Sequence, residues 1–297
     1  MKTPELSIII PTIDYLGRKT RIDAIVATLS SQNIAESPAE VIVVDNSPNH
    51  KNYRENSENS TKIIREPAVG LNYARNAGIK AAAGNIIAFL DDDVIPSKTW
   101  LASLIRAHKL SDTLCVGGPV TIEDWNRVVI PKWFSEYFLR FIIPSKFPQL
   151  AGRIKEPYYL IGANMSFKKE VFSNYGFFDT NLDRRGGCLL SGGDVEFMIR
   201  LKPENIFYEP LAAVSTKITQ ERLTKRYFIR RLFWQAVSDA RIIKKHGLER
   251  FYDRPEIFIS AGFTSLLFKT LRGKLFFQTL CMMIRIMTFK TASIFNL

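Results

Sequence analysis

The stretch IIAFLDDDVIP, residues 86–96, sets five largely apolar residues directly before three consecutive carboxylates, Asp91, Asp92 and Asp93. A short apolar run bounded by charge reads as a strand buried on both faces. Adjacent carboxylates repel one another unless a cation or positive side chains meet them. Hard divalent cations such as Mg2+ and Mn2+ take carboxylate oxygens and share their remaining positions with phosphate and water. The triplet is therefore a candidate site for a metal-bound diphosphate. The alternative is a solvated loop, or a capping role ahead of the helix that follows PSKTW.

The chain on either side supports a strand. From residue 6 to 119, apolar runs (LSIII, EVIVVD, TKIIRE, NIIAFL, TLCVGG) alternate with helical patterns at 19–32, 70–83 and 97–110. Continuous Ile/Val runs separated by helices indicate a parallel sheet covered on both faces, an α/β fold. Ligands in such sheets sit at the carboxyl ends of the strands. EVIVVD and IIAFLD both deliver their first acidic residue there, at Asp45 and Asp91. Residues 46–61 are polar and turn-rich and read as a loop. Residues 120–156 mix prolines with Trp125, Trp133, Phe134, Tyr137 and Phe138, an aromatic-bearing loop or short helices. Downstream, YYLIGANMSF reads as a strand, KKEVFSNYG as a helix closed by Gly176, and GGDVEFMIRL as a helix starting near Asp194.

Composition bounds the function. Lys and Arg outnumber Asp and Glu by 41 to 29, a net charge of +12, which favours anionic partners: phosphates, nucleic acid or a bilayer surface. Three widely spaced cysteines without a CxxC suggest neither a disulfide framework nor a zinc site, and fit a reducing compartment. The apolar run before Pro11 is too short for a signal peptide, so a cytoplasmic protein is expected. No GxGxxG follows the first strand and no GxxxxGK[ST] occurs, which removes the commonest phosphate-loop enzymes. An EF-hand lacks its glycine and its register of oxygen ligands.

A second acidic position is LLSGGDVEF. Asp194 at a helix start and Glu196 two residues on suit capping and the helix dipole. A carboxylate beside an acceptor hydroxyl also serves as general base, and Gly192 and Gly193 allow a close backbone approach. Residues alone leave both readings open.

SIIIPTID, EVIVVDNSP, VGLNYARNAGIKAAAGNIIAFLDDDVIP, YLIGANMSFKKEVFSNYGFFDTNL and LLSGGDVEF, in this order, resemble the family 2 glycosyltransferases of the GT-A fold over about residues 5–245. The resemblance implies a nucleotide-binding, mostly parallel sheet flanked by helices in a domain over 1–245, with a nucleotide half to about 119 and an acceptor half to 245. Residues 246–297 would then be a helical, partly apolar extension. It also implies inverting transfer of a sugar from a nucleotide-diphosphate sugar, a UDP-sugar by family habit, to a hydroxyl of a glycan or lipid-linked acceptor. Pro11, Thr12, Asp45, Arg75 and Asp92 would bind the nucleotide sugar. Asp91 and Asp93 would hold a divalent metal, Mn2+ or Mg2+, and Asp194 would be the catalytic base. Gly162, Asn164, Trp133 and Glu196 are the acceptor-side candidates, although a turn explains Gly162 equally well and packing is the commoner use of an aromatic such as Trp133.

Two departures matter. Gly193 stands where relatives commonly carry Glu, and Ser215, Thr216 and Lys217 occupy the place of a His found in many of them. A nucleotide-sugar binder with little turnover is the alternative that these departures create. A basic nucleic-acid surface is a third reading, from Tyr227, Phe228, Phe233 and Trp234 among the arginines of 221–246. Their helical spacing suits a core face as well, and an acidic triplet repels a phosphate backbone, so no nucleic acid is expected. The basic helix and the interrupted apolar tail instead suggest peripheral contact with the inner face of a membrane. Packing on the domain or on a second copy, as a homodimer, is the plainer use of the tail.

Overall fold

The computed structural model describes residues 4–32, 38–48, 57–58, 61–139, 141–142, 150–155, 160–184, 188–247 and 274–295. Four parallel strands form the first half of a nine-stranded sheet: β1 (Leu6–Thr12), β2 (Ala39–Asp45), β4 (Thr61–Arg65) and β5 (Ile86–Leu90), with the two-residue β3 (Ser57–Glu58) at the edge. Every residue of β1 and β5 is buried, as the unbroken apolar run of β5 and the Ile8–Ile10 run of β1 require. Register places Thr12 directly across from Asp45 at the carboxyl end of the β1–β2 pair.

Beyond β5 the sheet becomes mixed. The segment read as YYLIGANMSF forms β10 over Asn164–Lys168, antiparallel to both β5 and β7 (Cys115–Gly117); residues 156–159 lie outside the described chain. β7 therefore does not lie beside β5, as a simple parallel series would have it. β11 (Ile206–Tyr208) pairs parallel with β7, and β9 (Gly152–Arg153) closes the edge. A small second sheet orders β6 (Val94–Pro96), β12 (Val214–Thr216) and β8 (Val120–Ile122).

Helices run where the sequence pattern places them, with boundaries shifted by capping. α1 (Tyr15–Ser30) starts early because Asp14 accepts the Gly17 N–H at 3.0 Å. α2 (Leu71–Ala81) follows Gly70, which has φ +152°. α3 (Trp100–Leu110) begins after Thr99, with all of β6 between it and the acidic triplet, so Asp91–Asp93 do not cap it. α4 (Glu136–Leu139) and α5 (Glu170–Asn174) are short, and α6 (Gly193–Leu201) carries Asp194 in its first turn.

Two compact units result: residues 1–121, 146–186 and 193–217 in one, and 122–145, 187–192 and 218–297 in the other. α7 (Lys225–His246) packs on α8 (Lys274–Phe295) within the second unit. Phe134 and Phe138 join Phe228 and Leu232 of α7 and Phe277 of α8 in one apolar cluster. Asp239 and Arg285 form a buried ion pair between the two helices, at 2.7 Å. The part of the expected tail at 256–273 lies outside the described residues.

Candidate active site

The β5 strand ends by handing its chain to Asp91, and register brings the next residues beside the ends of β1 and β10. Asp92 is 5% exposed and pairs with Arg18 of α1. Burial raises its pKa, opposed by a hydrogen bond from Thr12 and by the Arg18 charge; its Oδ2 has no partner. Asp91 lies 3.8 Å from Arg75 of α2. Burial pushes Asp91 up to about 6, with Arg75 opposing and Asp93 and Asp92 adding to the rise. Its side chain still keeps 37% of its exposure, so it stands in a recess walled by protein and open to water on one side. Asp93 is tied through its carbonyl, which accepts from Thr216 Oγ1 at 3.0 Å.

Arg75 is 3% exposed and fixed from several directions. Its guanidinium donates to Gly162 O at 3.1 Å and to Asn72 Oδ1 at 3.3 Å, and lies 5.5 Å from the centre of the Phe178 ring. Gly162 is the joint of the site. Its carbonyl holds Arg75, while its N–H donates to Asp194 Oδ2 at 2.9 Å. Val195 N–H takes the other Asp194 oxygen, at 2.9 Å. A Cβ at position 162 would run into the Arg75 guanidinium and stand 2.9 Å from Asp194 Oδ2, so glycine there follows from close approach and not from a turn alone.

The glycine at 193 has a similar cause. A Cβ on Gly193 would meet the Asn72 side-chain amide, which donates to Asp179 O at 2.8 Å and Leu182 O at 3.1 Å. The space a glutamate would need is occupied by Asn72.

On the nucleotide side, Pro11 and Thr12 are buried at the end of β1. Asp45, 4% exposed, accepts from both the backbone N–H and the hydroxyl of Ser47. Three acceptor-side candidates take structural places instead. Asn164 is fully buried: its Oδ1 accepts from Trp100 Nε1 at 2.8 Å and its amide donates to Pro119 O and Ala212 O. Those bonds use the side chain as a clamp between strands and α3. Glu196 is likewise fully buried and pairs with Arg200 at 3.0 Å. Trp133 stands edge-on to Phe138, Phe228 and Phe277, the packing use of an aromatic. Sequence reasoning missed Arg18, Asn72 and Asp183. Only Arg18 left a signal, a basic residue one helical turn after the Asp14 cap.

The carboxyl ends of β1, β2 and β5 thus gather an acidic triplet, two arginines and a backbone-oriented aspartate in one unit. The family model for glycosyl transferase family 2 matches residues 7–176, more than half of the chain. The chain belongs to that family. It is 28% identical to a glucosyl-dolichyl phosphate glucuronosyltransferase of Haloferax volcanii over 173 residues, 57% of this chain and 54% of that protein. It is 26% identical to a chondroitin synthase of Escherichia coli over 242 residues, 68% of this chain and 33% of the synthase. The chain therefore spans about half the length of the first relative and a third of the second.

Among solved structures, S. aureus TarS residues 1–349 superpose with a TM-score of 0.52 at 13% identity, over 97% of this chain and 90% of that one. GalNAc-T7, solved with UDP, GalNAc and Mn2+, superposes with a TM-score of 0.53 at 16% identity, over 89% of this chain and 58% of that one. These likenesses establish the GT-A fold for a glycosyltransferase-family domain.

Proposed function

We propose that the chain moves a sugar from a nucleotide-diphosphate sugar, a UDP-sugar first among them, to a hydroxyl of a glycan or lipid-linked acceptor, with inversion. The observation that carries this reading is Gly162, one residue whose carbonyl holds the arginine beside Asp91 and whose N–H holds Asp194. Asp45, Asp92, Pro11 and Thr12 receive the nucleoside, and Arg75 fixes the diphosphate end. Asp194 accepts the proton of the acceptor hydroxyl as its oxygen attacks the anomeric carbon and the diphosphate departs from the opposite face. The two backbone N–H groups each take one lone pair of Asp194 and leave others for the acceptor.

Asp91 and Asp93 are the residues that would hold a divalent cation. Among the described residues no group of three or more His, Cys, Asp and Glu is placed so that it could hold a metal ion by itself. Mg2+ needs only one or two carboxylates when substrate phosphates and water complete its shell. Burial raises the Asp91 pKa and the neighbouring Asp93 and Asp92 add to the rise, so a cation bound there would stabilise the charged form. When bound, the ion supplies charge neutralisation for the departing diphosphate.

The test is a screen of UDP-, GDP- and dTDP-sugars with Mn2+ or Mg2+ for release of nucleoside diphosphate, with Asp93→Ala and Asp194→Asn beside the parent protein. Release that falls in both variants, with metal dependence lost in the first, is the expected result. Tight donor binding without release under every donor and acceptor would overturn turnover in favour of a nucleotide-sugar binder.

Peripheral membrane contact on the cytoplasmic face rests on α7. Arg226, Arg230 and Phe233 are exposed on one side of its first turns, a short basic patch with an apolar ring in it. No described helix is long and apolar enough to cross a membrane. Sedimentation with anionic but not neutral vesicles, reduced in Arg226→Glu/Arg230→Glu, is expected; equal sedimentation with both would sink it.

A further inference from the structure

Asn72 is the second residue of α2, 1% exposed and one helical turn before Arg75. Its backbone N–H donates to Asp183 Oδ2 at 2.9 Å, across 111 positions of sequence. That carboxylate caps the first turn of α2, because Gly70 has no side chain to offer and a Cβ there would run into Asp183. The side-chain amide of Asn72 donates to Asp179 O at 2.8 Å and to Leu182 O at 3.1 Å. An amide has two N–H donors and one oxygen, so both donors are taken and the oxygen has one direction left. It faces Arg75, whose Nη1 donates to it at 3.3 Å. Asn76, one turn on, ties the same segment by donating to Phe178 O at 2.9 Å and accepting its N–H at 3.0 Å.

The same amide also meets the helix of the candidate base. Gly193 directly precedes Asp194 in α6, and the three atoms nearest a Cβ at 193 would all belong to the Asn72 side chain. Gly193 is not among the glycines with positive φ, so it is this contact that excludes a side chain there. The amide cannot swing aside without giving up Asp179 O, Leu182 O or Arg75. Arg75 and the start of α6 are therefore braced twice, by the two backbone groups of Gly162 and by the side chain of Asn72.

We propose that Asn72 is a positioning residue for the transfer: it sets the place of Arg75 relative to Asp194, and with it the place of the donor diphosphate relative to the base. It acts through Arg75 and touches no substrate. The inference rests on the nucleotide-sugar reading above and adds a residue to it. Affinity for the diphosphate, not for the nucleoside, is then what Asn72 governs.

The parent protein, Asn72→Ala, Gly193→Ala and the double variant are titrated calorimetrically with UDP, GDP and dTDP, each beside its own nucleoside, in Mn2+. For whichever diphosphate the parent binds, Asn72→Ala should bind about 10-fold more weakly, the low end for loss of a hydrogen bond to a charged group. Its affinity for the nucleoside should stay within about twofold by the same reasoning. Gly193→Ala removes no hydrogen-bonding group, yet its methyl displaces the Asn72 amide and should give a similar loss, with the nucleoside again spared. In the double variant the methyl has room, so diphosphate affinity should match Asn72→Ala within about twofold instead of falling by the roughly 100-fold of two independent losses. Parent-like diphosphate affinity in either single variant overturns the role of Asn72 and leaves the transferase reading standing. A parallel loss for nucleoside and diphosphate also overturns it, since that is the mark of a loosened fold, and so do losses that multiply in the double variant. A parent protein that binds none of the diphosphates overturns the nucleotide-sugar reading itself, and the role of Asn72 with it.

Discussion

Two arginine–aspartate pairs in this molecule have the same chemistry and opposite settings. Arg285 and Asp239 meet at 2.7 Å with side chains 3% and 1% exposed, between two helices. Arg75 and Asp91 stand 3.8 Å apart, with the arginine buried and the aspartate 37% exposed at the end of a strand. The first pair is closed: each charge is answered by the other, and Gln235 adds a bond to Asp239 at 2.8 Å. The second is open, because Arg75 divides its donors among Gly162, Asn72 and Asp91 while two more carboxylates crowd the same edge. A closed pair registers helices; an open one keeps charge exposed to solvent.

The sharpest way to break this contrast acts on the open side. Asp194→Asn keeps the shape of the side chain and one of its two backbone hydrogen bonds, because the amide nitrogen cannot accept an N–H, and removes its capacity to take a proton. Transfer should fall by about 10²- to 10⁴-fold in nucleotide-release assays, the range for general-base catalysis, with folding intact. A rate within threefold of the parent, on the order of 0.6 kcal/mol in barrier height, would remove Asp194 from the chemistry.

On the closed side, Asp239→Ala leaves Arg285 buried without its carboxylate and should cost about 3–5 kcal/mol in denaturant unfolding. Replacing both, as Asp239→Leu with Arg285→Met, should restore most of that stability, because two desolvated charges give way to apolar packing. A double variant as unstable as the single one would show that the pair contributes more than mutual neutralisation.

Gly162→Ala tests the joint between Arg75 and Asp194. The added methyl has to push the ends of two side chains, so the unfolding midpoint should move little while transfer falls by about 10²-fold, as for a small misplacement of reacting groups. A large stability loss with unchanged activity per folded molecule would reverse the assignment.

The smallest effect concerns a buried group that carries no charge. His108 of α3 lies 2.9 Å from Ser166 Oγ, and because that hydroxyl donates to Val116 O, the histidine proton sits on Nε2. Burial, with the Lys168 charge adding, lowers its pKa to about 3. An unfolded histidine titrates near 6.5, so the unfolded chain takes up the proton first as pH falls. Stability from this residue is present above about pH 6.5 and is lost towards about pH 3, with a slope of at most about 1.4 kcal/mol per pH unit. His108→Gln should flatten that part of the pH–stability curve; an unchanged slope would assign it to the carboxylates.

Much of the site was legible before any coordinates. Asp91, Asp92 and Asp93 follow an apolar run, so their place at a strand end comes from patterning alone, and Asp45 is found the same way. Asp194 was identified as a candidate base by resemblance, and its backbone partners came only with the fold. Asn164 and Glu196 are buried, which the motif could not show, because a polar residue in a motif looks the same whether it faces a ligand or a core. Burial decides that, and burial depends on which strand lies alongside. Asp183 was invisible for a related reason: a helix cap supplied from 111 positions away leaves no local spacing to detect.

The sequence by itself determined the α/β class, the strands of the nucleotide half and the acidic edge, because period-two and period-3.6 patterning are local properties of the chain. It determined Gly162 and Gly193 as glycines without a reason for either. Only the tertiary structure decided that β10 runs antiparallel beside β5, and so that Gly162 lies between Arg75 and Asp194 while Asn72 fills the space beside Gly193. Strand order and close approach are long-range outcomes of packing, and no stretch of sequence contains them alone.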